Sequence, residues 1–137
     1  MTSSKVVLHS LNLRGSFDSQ LSSIKSEMED SECTAFFLQD LGAMGPEGHP
    51  RLHAVLKDHQ VITNSHPNNK SRNVAIIINK NWNIVGPVRK DKFGCVVGTT
   101  VEKNGIKIFI ASVYMPTKLN NCGAPSHWEE KSGSGAQ

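Results

Sequence analysis

Near the start of this chain, two short apolar runs flank a stretch with helical spacing, and that order limits the folds open to it. Val6-Val7-Leu8 opens a strand predicted over residues 5–11, which ends at Asn12-Leu13-Arg14-Gly15. Gly15 punctuates the strand, and Ser16 stands where a helix N-cap belongs. Phe17, Leu21, Ile24 and Met28 then recur at helical spacing with Ser, Lys and Glu between them, which predicts an amphipathic helix to about Glu32. Ala35-Phe36-Phe37-Leu38 forms the body of a second buried strand over residues 34–39. Strand, helix, strand in this order implies a parallel pair joined by a right-handed crossover.

Beyond residue 40 the pattern turns to strands. Residues 41–50 read as a Gly/Pro loop, and residues 53–65 as one or two short strands, with Gln60-Val61-Ile62-Thr63 the best candidate. Residues 66–72 form a polar loop before Val74-Ala75-Ile76-Ile77-Ile78, the strongest buried strand in the chain, predicted over 73–79. A weaker strand is predicted over 82–88. Residues 95–102 and 106–114 flank Asn104-Gly105, the dipeptide that two-residue type I′ hairpin turns favour. From Lys118 the character changes: Leu119-Asn120-Asn121-Cys122-Gly123-Ala124-Pro125 breaks structure, and Ser132-Gly133-Ser134-Gly135 is linker-like. The expected organisation is one α/β (α+β) domain over residues 1–117 and a disordered or linker-like tail over 118–137.

Composition excludes several classes. A chain of 137 residues with 37% hydrophobic and 20% charged residues suits one globular core. Its first apolar run is too short for a signal sequence, and no stretch reaches membrane-spanning length, so an intracellular location, nuclear or cytoplasmic and not secreted, is expected. Cys33, Cys95 and Cys122 are odd in number and widely spaced. A zinc ribbon or a disulfide framework is therefore not expected, and Cys33 and Cys95 read as ordinary buried thiols. Charge divides the chain. Residues 1–60 carry five Lys/Arg against eight Asp/Glu, whereas residues 61–120 carry nine against two. A basic second half can attract a polyanion such as nucleic acid, or can simply form a solvated face.

Three polar residues end apolar strands: Asn12 the first, Asp40 the second, Tyr114 the last. Ligand sites in α/β sheets gather at the carboxyl ends of parallel strands. Asn12 and Asp40 end strands joined by a single crossover, which places them together. Tyr114 joins them only if its strand runs in the same sense as the first two. Taken singly, Asn12 and Asp40 have the ordinary reading of turn formers, and Tyr114 that of a half-buried tyrosine.

Four segments taken together carry a resemblance. They are Leu11-Asn12-Leu13-Arg14-Gly15, Phe37-Leu38-Gln39-Asp40, Arg72-Asn73-Val74-Ala75-Ile76 and Ser112-Val113-Tyr114-Met115-Pro116-Thr117. In order and spacing, the set resembles the motifs of the amino-terminal half of the endonuclease/exonuclease/phosphatase superfamily. Its flavour is similar to the endonuclease domains of non-LTR retrotransposons and to apurinic-type repair nucleases. The resemblance implies a partial four-layer α/β/β/α sandwich, in which this chain supplies about one sheet and one main helix while the carboxy-terminal half is missing. It implies DNA as the partner and Mg²⁺ (or Mn²⁺) as the cofactor, held by oxygen ligands with one or two carboxylates among them. The resemblance puts Asp40 at the metal-binding position and Asn12 and Tyr114 at catalytic positions, where Asn12 can hold the metal site or a phosphate oxygen through its side-chain amide and Tyr114 can donate to the scissile phosphate. Resemblance and basic charge together make Arg14, Lys70, Arg72 and Lys118 the candidate nucleic-acid contacts.

The sequence also departs from that pattern. Asp40 replaces a glutamate and is one methylene shorter, and Asn73 replaces a glycine. The chain has no Gly-Asp-x-Asn segment and no Ser-Asp-His, the motifs that supply a second carboxylate and the general base. None of the six histidines stands at a family catalytic position. With half a sandwich, the inner apolar face of the sheet is expected to lack a partner and to drive self-association, or association with the missing half. Three readings stay open: a fragment of a metal-dependent DNA endonuclease, a catalytically inert remnant that binds nucleic acid or protein, and a small α+β binding domain. The tail reading has a direct check: limited proteolysis is expected to trim residues 118–137 first, and protection of Trp128 would contradict it.

Overall fold

The computed structural model describes residues 5–30, 32–42 and 50–115. Strand β1 (Leu8–Asn12), helix α1 (Phe17–Asp30) and strand β2 (Ala35–Gln39) form the opening unit. As the order of elements requires, β1 and β2 pair in parallel, with Leu8 opposite Ala35 and Asn12 opposite Gln39. The short helix α2 (Pro50–Val55) precedes β3 (Gln60–His66) and β4 (Asn69–Ile78), which form an antiparallel hairpin. The first sheet has the order β1-β2-β4-β3. A second sheet is built on β7 (Val96–Lys103). Strands β5 (Asn83–Ile84) and β6 (Arg89–Lys90) pair antiparallel with β7, as does β8 (Ile106–Val113).

Two cores separate three layers. Phe17, Leu21, Ile24 and Met28 from α1, with Leu52 and Leu56 from the α2 region, pack on Phe36, Leu38, Ala75 and Ile77. On the other side of the same sheet, Ala35, Ile62, Val74, Ile76 and Ile78 meet Val97, Val101 and Ile110 of the second sheet. The alternation along β4 explains why the unbroken run Val74–Ile78 is fully buried: successive side chains enter opposite cores.

The α/β class and the layered plan hold, but the number of sheets differs from expectation. The 95–114 hairpin does not extend the first sheet; it founds a second one that covers the first sheet's inner face. That face is therefore not exposed. Exposed apolar side chains occur elsewhere, at Phe109, Val113 and Met115, at or beyond alternate positions of β8.

Local expectations fare unevenly. Asn104 and Gly105 both adopt positive φ (53° and 83°), as a type I′ turn requires, and β7 and β8 flank them in register. Helix α2 occupies sequence expected to be loop and strand; Leu52 and Leu56, four apart, are both fully buried, and the Leu56 amide donates to the Leu52 carbonyl at 3.0 Å. Most of the 66–72 loop is strand instead, because the hairpin turns tightly at Pro67-Asn68 and β4 begins at Asn69. The strand expected over 82–88 shortens to Asn83–Ile84. Cys33 is a free buried thiol whose pKa burial pushes up to about 11, which leaves it protonated and unreactive at neutral pH. Cys95 is disulfide-bonded, contrary to expectation, since spacing along a chain does not say which thiols approach in space. The tail expected over 118–137 lies outside the described residues.

Gly94 is where the second sheet locks onto the first. It has φ of 76°, and a Cβ there would lie 2.2 Å from the His66 nitrogen and 2.7 Å from the Arg72 carbonyl oxygen. Both obstacles are backbone, so neither can swing aside. Gly94→Ala is expected to cost about 2–4 kcal/mol, combining an unfavourable backbone with overpacking. Gly105→Ala, where nothing lies within 4 Å of the new methyl group, is expected to cost only about 1 kcal/mol from its left-handed backbone. Chemical denaturation of the two variants checks this, and equal losses would show that close approach at Gly94 does not matter.

Candidate functional site

The candidate site is assembled where β1 and β2 end. Their parallel ladder runs on past the strands: the Leu13 amide donates to the Gln39 carbonyl at 2.8 Å, and the Gly15 amide to the Asp40 carbonyl at 2.7 Å. Arg14, Gly15, Asp40 and Gly42 all take positive φ, so both chains turn sharply at the same level. A left-handed backbone is uncommon outside glycine, though Asp tolerates it better than most. Asn12 is exposed and its Oδ1 accepts the Arg14 amide at 3.1 Å, an Asx-type turn that fixes the side chain at the strand end. The Asp40 side chain is half-buried. Thus Asn12, Arg14 and Asp40 stand at the same pair of strand ends, and for Asn12 and Asp40 this is the adjacency that a single crossover implies.

Tyr114 arrives by a different route. Its strand lies not in the first sheet but in the facing one, and the two sheets are pinned at this end by a buried polar contact. Gln39 Nε2 donates to Ser112 Oγ at 3.0 Å and reaches Ser10 Oγ at 3.5 Å, while Ser112 Oγ donates to the Leu38 carbonyl at 3.1 Å. Tyr114 follows two residues later, half-buried against the inter-sheet core, and its amide donates to the Cys95 carbonyl at 2.8 Å. Sheet packing, rather than strand sense within one sheet, brings Tyr114 to this end.

The basic residues divide between the two ends of the sandwich. Arg72 lies next to Asn73, whose carbonyl accepts the Asp40 amide at 2.9 Å, so it belongs to the site end together with Arg14. Arg89 and Lys90 pair with Gly98 and Val97 near the start of β7, and Lys92 follows with its Nζ 5.6 Å from the Phe93 ring centroid. Lys80, Lys103 and Lys107 sit at the opposite end, beyond β4 and at the β7–β8 turn. The Lys70 side chain and Lys118 lie outside the described residues.

Sequence reasoning assigned no role to Gln39, Ser112 or Asn73, although all three are buried polar residues within otherwise apolar strands, and that contrast was the available signal. Among the described residues no group of three or more His, Cys, Asp or Glu gathers as a metal cage. Mg²⁺ accepts a sparser oxygen set, one carboxylate completed by waters and substrate oxygens, and at these strand ends Asp40 is the carboxylate and Asn12 the amide that would be offered to it. Among the described residues no helix is long and apolar enough to cross a membrane.

Neither a family model nor a curated protein matches the sequence. Solved structures do match. D. rerio TDP2 complexed with a single-strand DNA product aligns with TM-score 0.66 and 13% identity, over 95% of this chain and 54% of that one. The endonuclease domain of TRAS1, a telomere-specific non-LTR retrotransposon, gives TM-score 0.58 and 9% identity over 92% and 51%. The AP endonuclease LMAP from Leishmania major gives TM-score 0.58 and 12% identity over 91% and 43%. This chain spans about half the length of these nucleases. Two packed sheets with helices on one side, and these alignments, together show that the chain has the fold of about half of each of these proteins.

Proposed function

We propose that this chain is the amino-terminal half of a metal-dependent DNA phosphodiesterase of the retrotransposon endonuclease type, incomplete as an enzyme by itself. The observation that carries the reading is the junction of Asn12 and Asp40 at the ends of adjacent parallel strands, tied by the Gly15–Asp40 hydrogen bond at 2.7 Å. Asp40 would hold Mg²⁺ or Mn²⁺, with Asn12 beside it. When bound, the ion would supply charge stabilisation at the phosphate. Asn12 would orient a phosphate oxygen through its amide, and the Tyr114 hydroxyl would donate to the scissile phosphate. Arg14, Lys70, Arg72 and Lys118 would contact the flanking backbone. The partner this reading implies, besides DNA, is the remaining half of the fold.

The 137-residue chain alone is expected to nick supercoiled plasmid no faster than background with Mg²⁺ or Mn²⁺. A second carboxylate and a general base are each worth about 10²-fold or more, and the motifs that supply them are absent from the sequence. Metal-dependent nicking by pure protein that Asp40→Ala abolishes would refute the incompleteness while keeping the site.

The second reading, a catalytically inert remnant that binds nucleic acid or protein, is favoured by the excess of nine basic over two acidic residues in 61–120. Both readings expect weak, sequence-independent duplex binding that falls steeply with salt, because counterion release drives it. Fluorescence anisotropy with a labelled duplex at two salt concentrations measures this. Arg72→Ala and Lys92→Ala are each expected to lower the salt slope by about one, whereas Lys103→Ala and Lys107→Ala leave it unchanged. Equal effects from both pairs would place the charges on a merely solvated surface, as would binding that is insensitive to salt.

A further inference from the structure

Asn73 occupies a position that a glycine could fill sterically, yet its side chain is fully buried and its amide is engaged at both atoms. The antiparallel ladder between β2 and β4 would continue from Gln39–Val74 to Asp40–Asn73, and it does so for one bond: the Asp40 amide donates to the Asn73 carbonyl at 2.9 Å. Beyond that, Asp40 turns to φ of 57° and Gly42 to φ of 111°, so the backbone of 40–42 leaves the ladder. The Asn73 side chain takes over the lost pairing. Its Oδ1 accepts the Leu41 amide at 2.8 Å and its Nδ2 donates to the Gly42 carbonyl at 2.6 Å. On the far side, the Asp40 carbonyl accepts the Gly15 amide, and a Cβ at Gly42 would lie 3.6 Å from the Gly15 carbonyl oxygen. The turn that carries Asp40 is therefore gripped from two sides: by Gly15 on one, and on the other by the Asn73 carbonyl at Asp40 and the Asn73 side-chain amide at Leu41 and Gly42.

We infer that Asn73 is a positioning residue for the candidate site: its side-chain amide sets the 40–42 turn and so fixes where the Asp40 carboxylate stands. The inference rests on the reading of Asp40 as a metal ligand. It explains how a left-handed Asp, shorter by one methylene than glutamate, is kept in one place. A carboxylate on a loose turn would spread over many positions, and a metal site loses affinity when the groups that orient its ligands are removed, typically by about 10–100-fold.

The test uses the full 137-residue chain and three variants: Asn73→Ala, Asn73→Ser as a polar alternative should the alanine form fail to fold, and Ile78→Val as a stability control at the far end of β4. Two measurements are made on each. Amide hydrogen exchange should show Leu41 exchanging about 10-fold faster or more in Asn73→Ala, with Ile77 unaffected beyond the global change, whereas Ile78→Val shows no selective effect at Leu41. Mn²⁺ titration, followed by paramagnetic broadening of resonances around Asp40, should show affinity reduced about 10-fold or more in Asn73→Ala and unchanged in Ile78→Val. Leu41 exchange and Asp40 shifts that stay at wild-type values in Asn73→Ala would overturn the inference, as would an unchanged Mn²⁺ affinity. If the unmodified chain shows no broadening that Asp40→Ala removes, the metal reading fails instead, and Leu41 exchange alone decides whether Asn73 positions Asp40.

Discussion

The double burial of β4 governs this structure. A strand with Val74, Ile76 and Ile78 on one face and Ala75 and Ile77 on the other cannot border solvent on either side without exposing several fully apolar side chains. Each such side chain is worth about 1.5–3 kcal/mol in burial, so the first sheet must be covered twice. Helix α1 and the α2 region cover one face. The other demands a second sheet, and the Asn104-Gly105 hairpin, with β5 and β6 along its far edge, provides it from within residues 82–113.

That closure has a consequence for the site. Because the second sheet packs on the first, its contacts set the position of β8, and the buried Gln39–Ser112 pair registers the two sheets at the end where Asn12 and Asp40 emerge. A polar pair within an apolar interface costs desolvation unless both partners are satisfied, and here both are. It discriminates between sheet registers more sharply than interchangeable Val and Ile contacts can, since a slip would strand both polar groups. Gly94 acts in the same sense through shape, admitting the β6–β7 turn against the backbone of Ser65, His66 and Arg72.

What the sequence revealed and what it hid follow from the range of the interactions. The α1 periodicity, the parallel β1–β2 pair and the type I′ hairpin are local or single-crossover features, and residues such as Phe17, Leu21 and Asn104-Gly105 announce them. Asn12 and Asp40 were legible as neighbours for the same reason. The second sheet was not, because an alternating strand such as Ile106–Val113 looks the same whether it extends a sheet or faces one. Helix α2 was masked by its Pro/Gly surroundings and by a length of only six residues, too short for periodicity to register. Asn73 and Gln39 were visible as letters, but their roles depend on partners 31 to 32 and 73 residues away.

The stability of the fold and the chemistry of its site therefore have different reach. Both apolar cores close with side chains from the described residues, through contacts among α1, the α2 region and the two sheets. The site draws on few of these. One half-buried carboxylate, one exposed amide and one half-buried phenol stand at the end of the sandwich, and no further carboxylate or histidine gathers there among the described residues to form a cage. Burial is a property that these residues satisfy by packing the sheet of the β7–β8 hairpin on the first sheet. Acid–base chemistry is not, because it needs specific groups at specific distances, and packing cannot create them. A chain of this kind can keep a scaffold seen in nucleases by packing alone, with the 40–42 turn hydrogen-bonded to Asn73, while chemistry at the strand ends requires groups that packing does not specify.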